Sequence, residues 1–317
     1  MFKFQESMRR SNYKIGIGIT LVVLAMFGVA LRTVARAPES KMIITWGGNT
    51  PTWDKKLHLN AIRIGCSSAP AGCVQSINKI AGEQHVGRVF LAILLAPSSI
   101  NYGRQYSSLS VSDPLLYSVG FDDFVNQMER LHTSATHAAA MLNEFVSGLK
   151  SRNLNLHFGV TVYGNELASA DLTSPALADV RNRTDFVHLF VHYRENGPDF
   201  ANYVRQAKAL FPNAQIIAGS YAVDRIDYLP CSRKARVPCT GPQEMSLFKK
   251  SFDVQLQLLR DGTVQGIEFY PGDFGNTARH RLWSDPRSCR PGRLPECIAT
   301  SQQMRDYVGQ ELSRADL

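Results

Sequence analysis

The sequence predicts an α/β chain: a parallel (β/α)8 TIM-type barrel over residues 41–317, preceded by one N-terminal transmembrane helix at 15–31. Three observations lead there. Short apolar strands alternate with amphipathic helical stretches in non-repeating units of 30 to 50 residues, as in parallel sheets whose strands are joined by helices. No strand is followed by a GxGxxG turn, so a doubly wound dinucleotide fold lacks its main signal. Some strands alternate apolar residues with polar ones or glycine (His157, Gly159, Thr161, Tyr163; His188, Phe190, His192), which suits the packed inside of a closed barrel.

The N-terminus comes first in chain order. Residues 1–14 form a short basic segment, expected to be cytoplasmic, and 15–31 is a run of 17 residues without a charge. At about 1.5 Å per residue such a helix reaches across a bilayer core, which favours an uncleaved anchor. Gly28-Val29-Ala30 offers the alternative of signal cleavage and secretion. The formal charge is +8, but residues 1–41 hold seven Lys/Arg against two Glu, so only +3 belongs to the remaining 276 residues. The basic character is a targeting feature, and nucleic acid is not the expected partner.

A linker at 32–40 leads to a first strand, 42–46 (MIITW), closed by Gly47-Gly48-Asn49. Residues 61–65 read as a second strand, and 88–95 (RVFLAILL) as a strand buried on both faces. Polar, turn-rich 98–120 reads as a long loop, and 121–150 as one helix with apolar residues every three or four positions. Then follow strand 156–163, a short helix capped by Ser174-Pro175, strand 185–193 and helix 198–210. Strand 215–223, helix 242–260, strand 264–269 and a last helix 302–312 complete the chain. Six strands are counted without 61–65 and seven with it; eight require a pair inside 50–87 and 98–120.

The six cysteines fall into three close pairs, Cys66/Cys73, Cys231/Cys239 and Cys289/Cys297, each in a turn-rich stretch. Beside an export signal they predict three local disulfides in an extracytoplasmic compartment. No CxxC accompanies them, and the HxxxH at His188 and His192 lies far from them in sequence, so neither a metal site nor a cofactor is expected. His188 and His192 share a strand face about 13 Å apart, too far for one metal ion.

Acids at or just beyond strand ends are Glu166, Glu195, Asp224, Glu268 and Asp273. In a barrel they face one rim, and paired carboxylates across a cleft are what glycoside hydrolysis needs. Aromatic and polar residues near the same ends (Trp46, Asn165, His192, Tyr193, Tyr221, Tyr270), with Asp224 and Asp273, are the candidate sugar-binding set. On these residues the chain resembles the (β/α)8-barrel glycoside hydrolases. Asn165-Glu166, after VTVYG, is similar to the Asn-Glu pair carrying the acid/base in one large clan of them. Glu268 in GIEFY looks like that clan's nucleophile. Leu167 stands where the clan often has Pro, and the Glu268 strand is the last of this chain, whereas the clan's nucleophile lies on the seventh.

The resemblance implies Glu268 as nucleophile or base and Glu166 as proton donor, acting on a poly- or oligosaccharide. Basic residues crowd the last two cysteine loops (Arg233, Lys234, Arg236; Arg279, Arg281, Arg287, Arg290, Arg293), which suits an anionic polymer. The alternative is a non-catalytic glycan-binding or polysaccharide-assembly barrel. A serine hydrolase lacks its GxSxG elbow.

Overall fold

The computed structural model describes residues 40–46, 57–66, 69–84, 86–131, 134–221, 241–270 and 294–315. Eight parallel strands close into a barrel in chain order: β1 (Met42–Trp46), β2 (Ala61–Cys66), β3 (Arg88–Ile93), β4 (Leu116–Phe121), β5 (His157–Tyr163), β6 (Phe186–Phe190), β7 (Gln215–Tyr221) and β8 (Gly266–Tyr270). β1 pairs with β8 through Met42–Gly266 to Thr45–Phe269, which shuts the ring. The principal helices are α1 (Pro70–Gln84), α2 (Gly103–Ser112), α3 (Phe124–Arg130), α4 (Ala135–Leu149), α5 (Phe200–Leu210), α6 (Gly241–Arg260) and α7 (Leu294–Arg314). No helix among the described residues is long and apolar enough to cross a membrane. The expected anchor at 15–31 lies outside these residues, as do Cys231, Cys239 and Cys289 and the side chain of Cys297. Cys66 and Cys73 are joined in a disulfide that ties the end of β2 to α1.

Two expectations are corrected here. The stretch 98–120 is no loop: it holds α2 and most of β4. The helix expected over 121–150 is two helices, and Phe121 closes β4 instead of opening a helix. The reason is local. LYSVGF is short, and Phe121 faces the outer shell, packed on Phe145 and Phe158 at ring distances of 4.8 and 6.0 Å. Its spacing to the apolar residues of α3 and α4 therefore imitates a continuous helical stripe. Gly120 permits the strand to close on its neighbour, since a Cβ there would lie 2.2 Å from the Gly159 carbonyl oxygen.

Most of the buried apolar residues lie between strands and helices, the usual outer shell of this architecture. The inside of the barrel is stacked in three levels. The lowest is apolar, with Met42, Ile44, Ala61, Phe90, Phe186 and Ile217 in one cluster. Arg63, Thr161, His188 and Glu268 fill the level above, all buried. The uppermost is aromatic, with Tyr163, Phe190, Tyr221 and Tyr270 packed together and Trp46 beside Tyr270.

Candidate active site

The carboxyl ends of the strands surround a cavity of about 100 Å³. Its walls are aromatic: Trp46, Tyr163, Phe190, Tyr221 and Tyr270. Trp46 meets Tyr270 edge-on at 5.5 Å, Tyr270 meets Tyr221 at 5.6 Å, and Phe190 meets Tyr221 at 5.1 Å. Gly219 makes this possible, because a Cβ there would sit 2.4 Å from the Phe190 ring. The polar lining is Asp122, Asp123 and Thr161.

Asp122 and Asp123 form the turn that leaves β4. Gln127 on α3 fixes it: its amide nitrogen donates to the Asp122 carbonyl oxygen at 2.6 Å, and its amide oxygen accepts from the Leu95 backbone N–H. Asp123 takes a left-handed backbone conformation (φ 43°) just before α3, which is uncommon outside glycine and tolerated by Asp. Its Oδ1 accepts from the Tyr163 hydroxyl at 2.7 Å, and the Tyr163 oxygen lies 3.3 Å from the Tyr221 hydroxyl, which donates to it. Burial, with Tyr221 and Asp123 nearby, raises the Tyr163 pKa, so this phenol keeps its proton.

Beneath the aromatic level one guanidinium holds the charges together. Arg63 reaches Glu268 through Nη1, at 3.2 Å to Oε1 and 3.4 Å to Oε2. Through Nη2 it reaches Asp122 Oδ1 at 3.4 Å and also donates to the Thr161 hydroxyl. Thr161 in turn donates to Asp122 Oδ1 at 2.9 Å. His188 Nδ1 contacts Glu268 Oε2, and the Trp46 ring lies 4.4 Å from the Arg63 guanidinium carbon. Both carboxylates lean on one planar fork, so the oxygens it binds are within roughly 9 Å of one another.

Their environments differ in effect. Burial pushes the Asp122 carboxyl up and Asp123 and Glu268 add to that, against Arg63 and Thr161. Burial also acts to raise Glu268, but Arg63 and His188 outweigh it and hold this carboxyl below its ordinary range. Burial, reinforced by Arg63 and opposed by Glu268, lowers His188 and keeps its ring neutral. The result is one carboxyl inclined to keep a proton above another inclined to lose it.

The residues expected from the sequence divide. Trp46, Tyr221 and Tyr270 line the cavity. His192 is half-buried and stacks on Tyr163 at 3.8 Å, with Tyr193 next to it at 6.3 Å; burial lowers the His192 pKa. Asn165 is exposed. Glu166 is half-buried, accepts from the Tyr163 backbone N–H at 2.9 Å, and is pushed up to about 7 by burial, with Asp123 and Glu129 adding to the shift against that hydrogen bond. Glu268 is 0% exposed. Two positions before Tyr270, it lies about one side-chain level, roughly 6–7 Å, deeper in the barrel. Neither Glu166 nor Glu268 is among the residues lining the cavity. Glu268 is on the eighth strand and Glu166 follows the fifth. Asp224 and Asp273 lie outside the described residues. Among the described residues, no three of His, Cys, Asp or Glu are grouped to hold a metal ion.

Asp122, Asp123, Arg63 and Thr161 went unrecognised in the sequence as site residues. The signals were GFDDF, two acids after a short apolar run, and the lone charge in AIRIG, an arginine on the inward face of an apolar strand.

No protein-family model matches the chain, and no curated protein matches it. Solved structures do. A GH113 β-1,4-mannanase shares 9% identity at a TM-score of 0.50, over 83% of this chain and 98% of that one. The GH99 endo-α-mannosidase of Bacteroides thetaiotaomicron shares 14% at 0.47, over 84% and 79%. In fold, this chain is similar to the barrel glycoside hydrolases. The β-glucuronidase of Bacteroides uniformis matches at 0.48 with 12% identity, over 74% of this chain; the chain spans only 30% of that protein's length. At such identities the likeness is one of architecture, and chemistry rests on the site itself.

Proposed function

We propose that this protein is an exported glycoside hydrolase-like enzyme, anchored or secreted, that cleaves a poly- or oligosaccharide with Asp122 as proton donor. One observation carries the proposal. Asp122 and Asp123 open side by side into an aromatic-walled cavity at the carboxyl end of a closed barrel. Aromatic faces suit the apolar faces of sugar rings. A carboxyl raised by burial holds a proton for the leaving oxygen. Asp123, oriented by the Tyr163 hydroxyl, is the second carboxylate within reach of the same sugar. Glu166 is the donor implied by the sequence resemblance; its bond to the Tyr163 N–H favours a supporting role for it here. Export rests on the apolar N-terminal run and on the Cys66–Cys73 disulfide, a bond favoured in oxidising compartments.

Asp122→Asn tests the assignment. Turnover of oligosaccharides or aryl glycosides should fall by about 10²–10⁴-fold while ligand affinity holds, measured by reducing-end release and calorimetry. A rate equal to wild type excludes Asp122 as donor. An anionic polymer, suggested by the basic loops, predicts binding that weakens steeply with salt.

A non-catalytic glycan-binding barrel is the second reading, favoured by the two lining carboxylates being neighbours on one turn and not facing each other across the mouth. It predicts sugar affinity without turnover in the wild type.

A further inference from the structure

Glu268 is the acid the sequence most strongly marks as reactive, yet it has no exposed surface and every carboxylate oxygen is engaged. Arg63 faces two acids with one charge: both Glu268 oxygens bind Nη1, while Asp122 meets Nη2 at 3.4 Å. We propose that Glu268 is a positioning residue: by claiming the Arg63 guanidinium while His188 holds the Glu268 Oε2, it leaves Asp122 without a full counter-charge and so able to carry a proton at the mouth. This rests on Asp122 being the donor. The groups facing Asp122 are Arg63 from β2, Thr161 from β5, Glu268 from β8 and Asp123 on its own turn. Two of these are acids that disfavour its ionisation, and one of them is Glu268.

The sign follows. Removing the Glu268 charge removes a repulsion on Asp122 and releases Arg63 to it, so Asp122 loses its proton more readily. A general acid must be protonated, and activity falls as pH rises through its pKa. Glu268→Gln should therefore keep turnover at low pH and move the alkaline limb of the kcat/KM profile downward by about one pH unit. Glu268→Asp keeps the charge and should keep turnover within about ten-fold, with the limb in place.

The experiment combines pH–rate profiles of wild type, Glu268→Gln and Glu268→Asp with NMR titration of ¹³C-labelled aspartate, the Asp122 signal being assigned through Asp122→Asn. A downward shift of the Asp122 titration in Glu268→Gln, matched by the limb, is the expected result. Loss of turnover at every pH, restored by azide or formate, makes Glu268 the nucleophile and overturns the proposal. An Asp122 titration unmoved by Glu268→Gln also overturns it. Should Glu268→Gln not fold, a loss in Glu268→Asp beyond about 10³-fold overturns it and a loss within ten-fold supports it. A wild type without turnover on any glycoside defeats the enzymatic function instead, and the NMR titration still decides the charge relation.

Discussion

The lowest and middle levels of the barrel interior are built on the same strands, two residues apart, from opposite materials. Ala61 stands two residues before Arg63, and Phe186 two before His188. The lower level packs aromatic edges, with Phe90 meeting Phe186 at 5.3 Å. The middle level holds an ion pair in which both side chains are at most 3% exposed. Apolar packing stabilises without conditions, whereas a buried ion pair returns its desolvation cost only while complete. A well-packed apolar pair in this position could hold the fold as well as the ion pair, whereas either charge left alone would not. The contact between Arg63 and Asp122 links this level to the mouth above.

Arg63→Met should break the contrast most severely. It strands the Glu268 carboxylate, and a loss of about 3–5 kcal/mol is expected in denaturant melts. Replacing Glu268 by Leu in the same chain should recover much of that stability and, with Arg63 gone, let Asp122 keep its proton to higher pH. Phe90→Ala measures the apolar level at about 3–4 kcal/mol, with little change in the pH–rate profile. If both single variants moved the profile equally, the levels would not be separate.

Smaller effects sharpen the comparison outside the interior. Glu166 is raised to about 7 in the folded chain, so the folded state favours its protonated form. Its stabilising contribution is whole below the unfolded value near 4.3 and is lost as pH rises through about 7. After allowing for its partial exposure, wild type should lose about 1–2 kcal/mol over that window relative to Glu166→Gln, read from melts at pH 4.5 and 8. Tyr221→Phe removes one donor to Tyr163 and should cost about 0.5–1 kcal/mol, seen as a small thermal shift.

Much of the barrel was legible because its strands are apolar runs punctuated by turns, a signal that survives without knowledge of neighbours. β4 was not, since Phe121 continues the apolar spacing of the helices after it. Losing that strand also hid the acids at its end. Trp46, Tyr221 and Tyr270 were visible as strand-end aromatics, and all three line the cavity. The depth of Glu268 was not visible, because alternation gives a side chain's face and not its level within the ring.

By itself the sequence determined the repeating strand–helix order, the alternation that turns Glu268 inward and the closeness of Cys66 to Cys73, all properties of short stretches of chain. Only the tertiary structure decided which acids share a guanidinium and which open to solvent. Those relations join residues 63, 122, 161, 188 and 268, brought together by closure of the ring between β1 and β8. Charge and burial are set by such distant neighbours, and no local pattern encodes them.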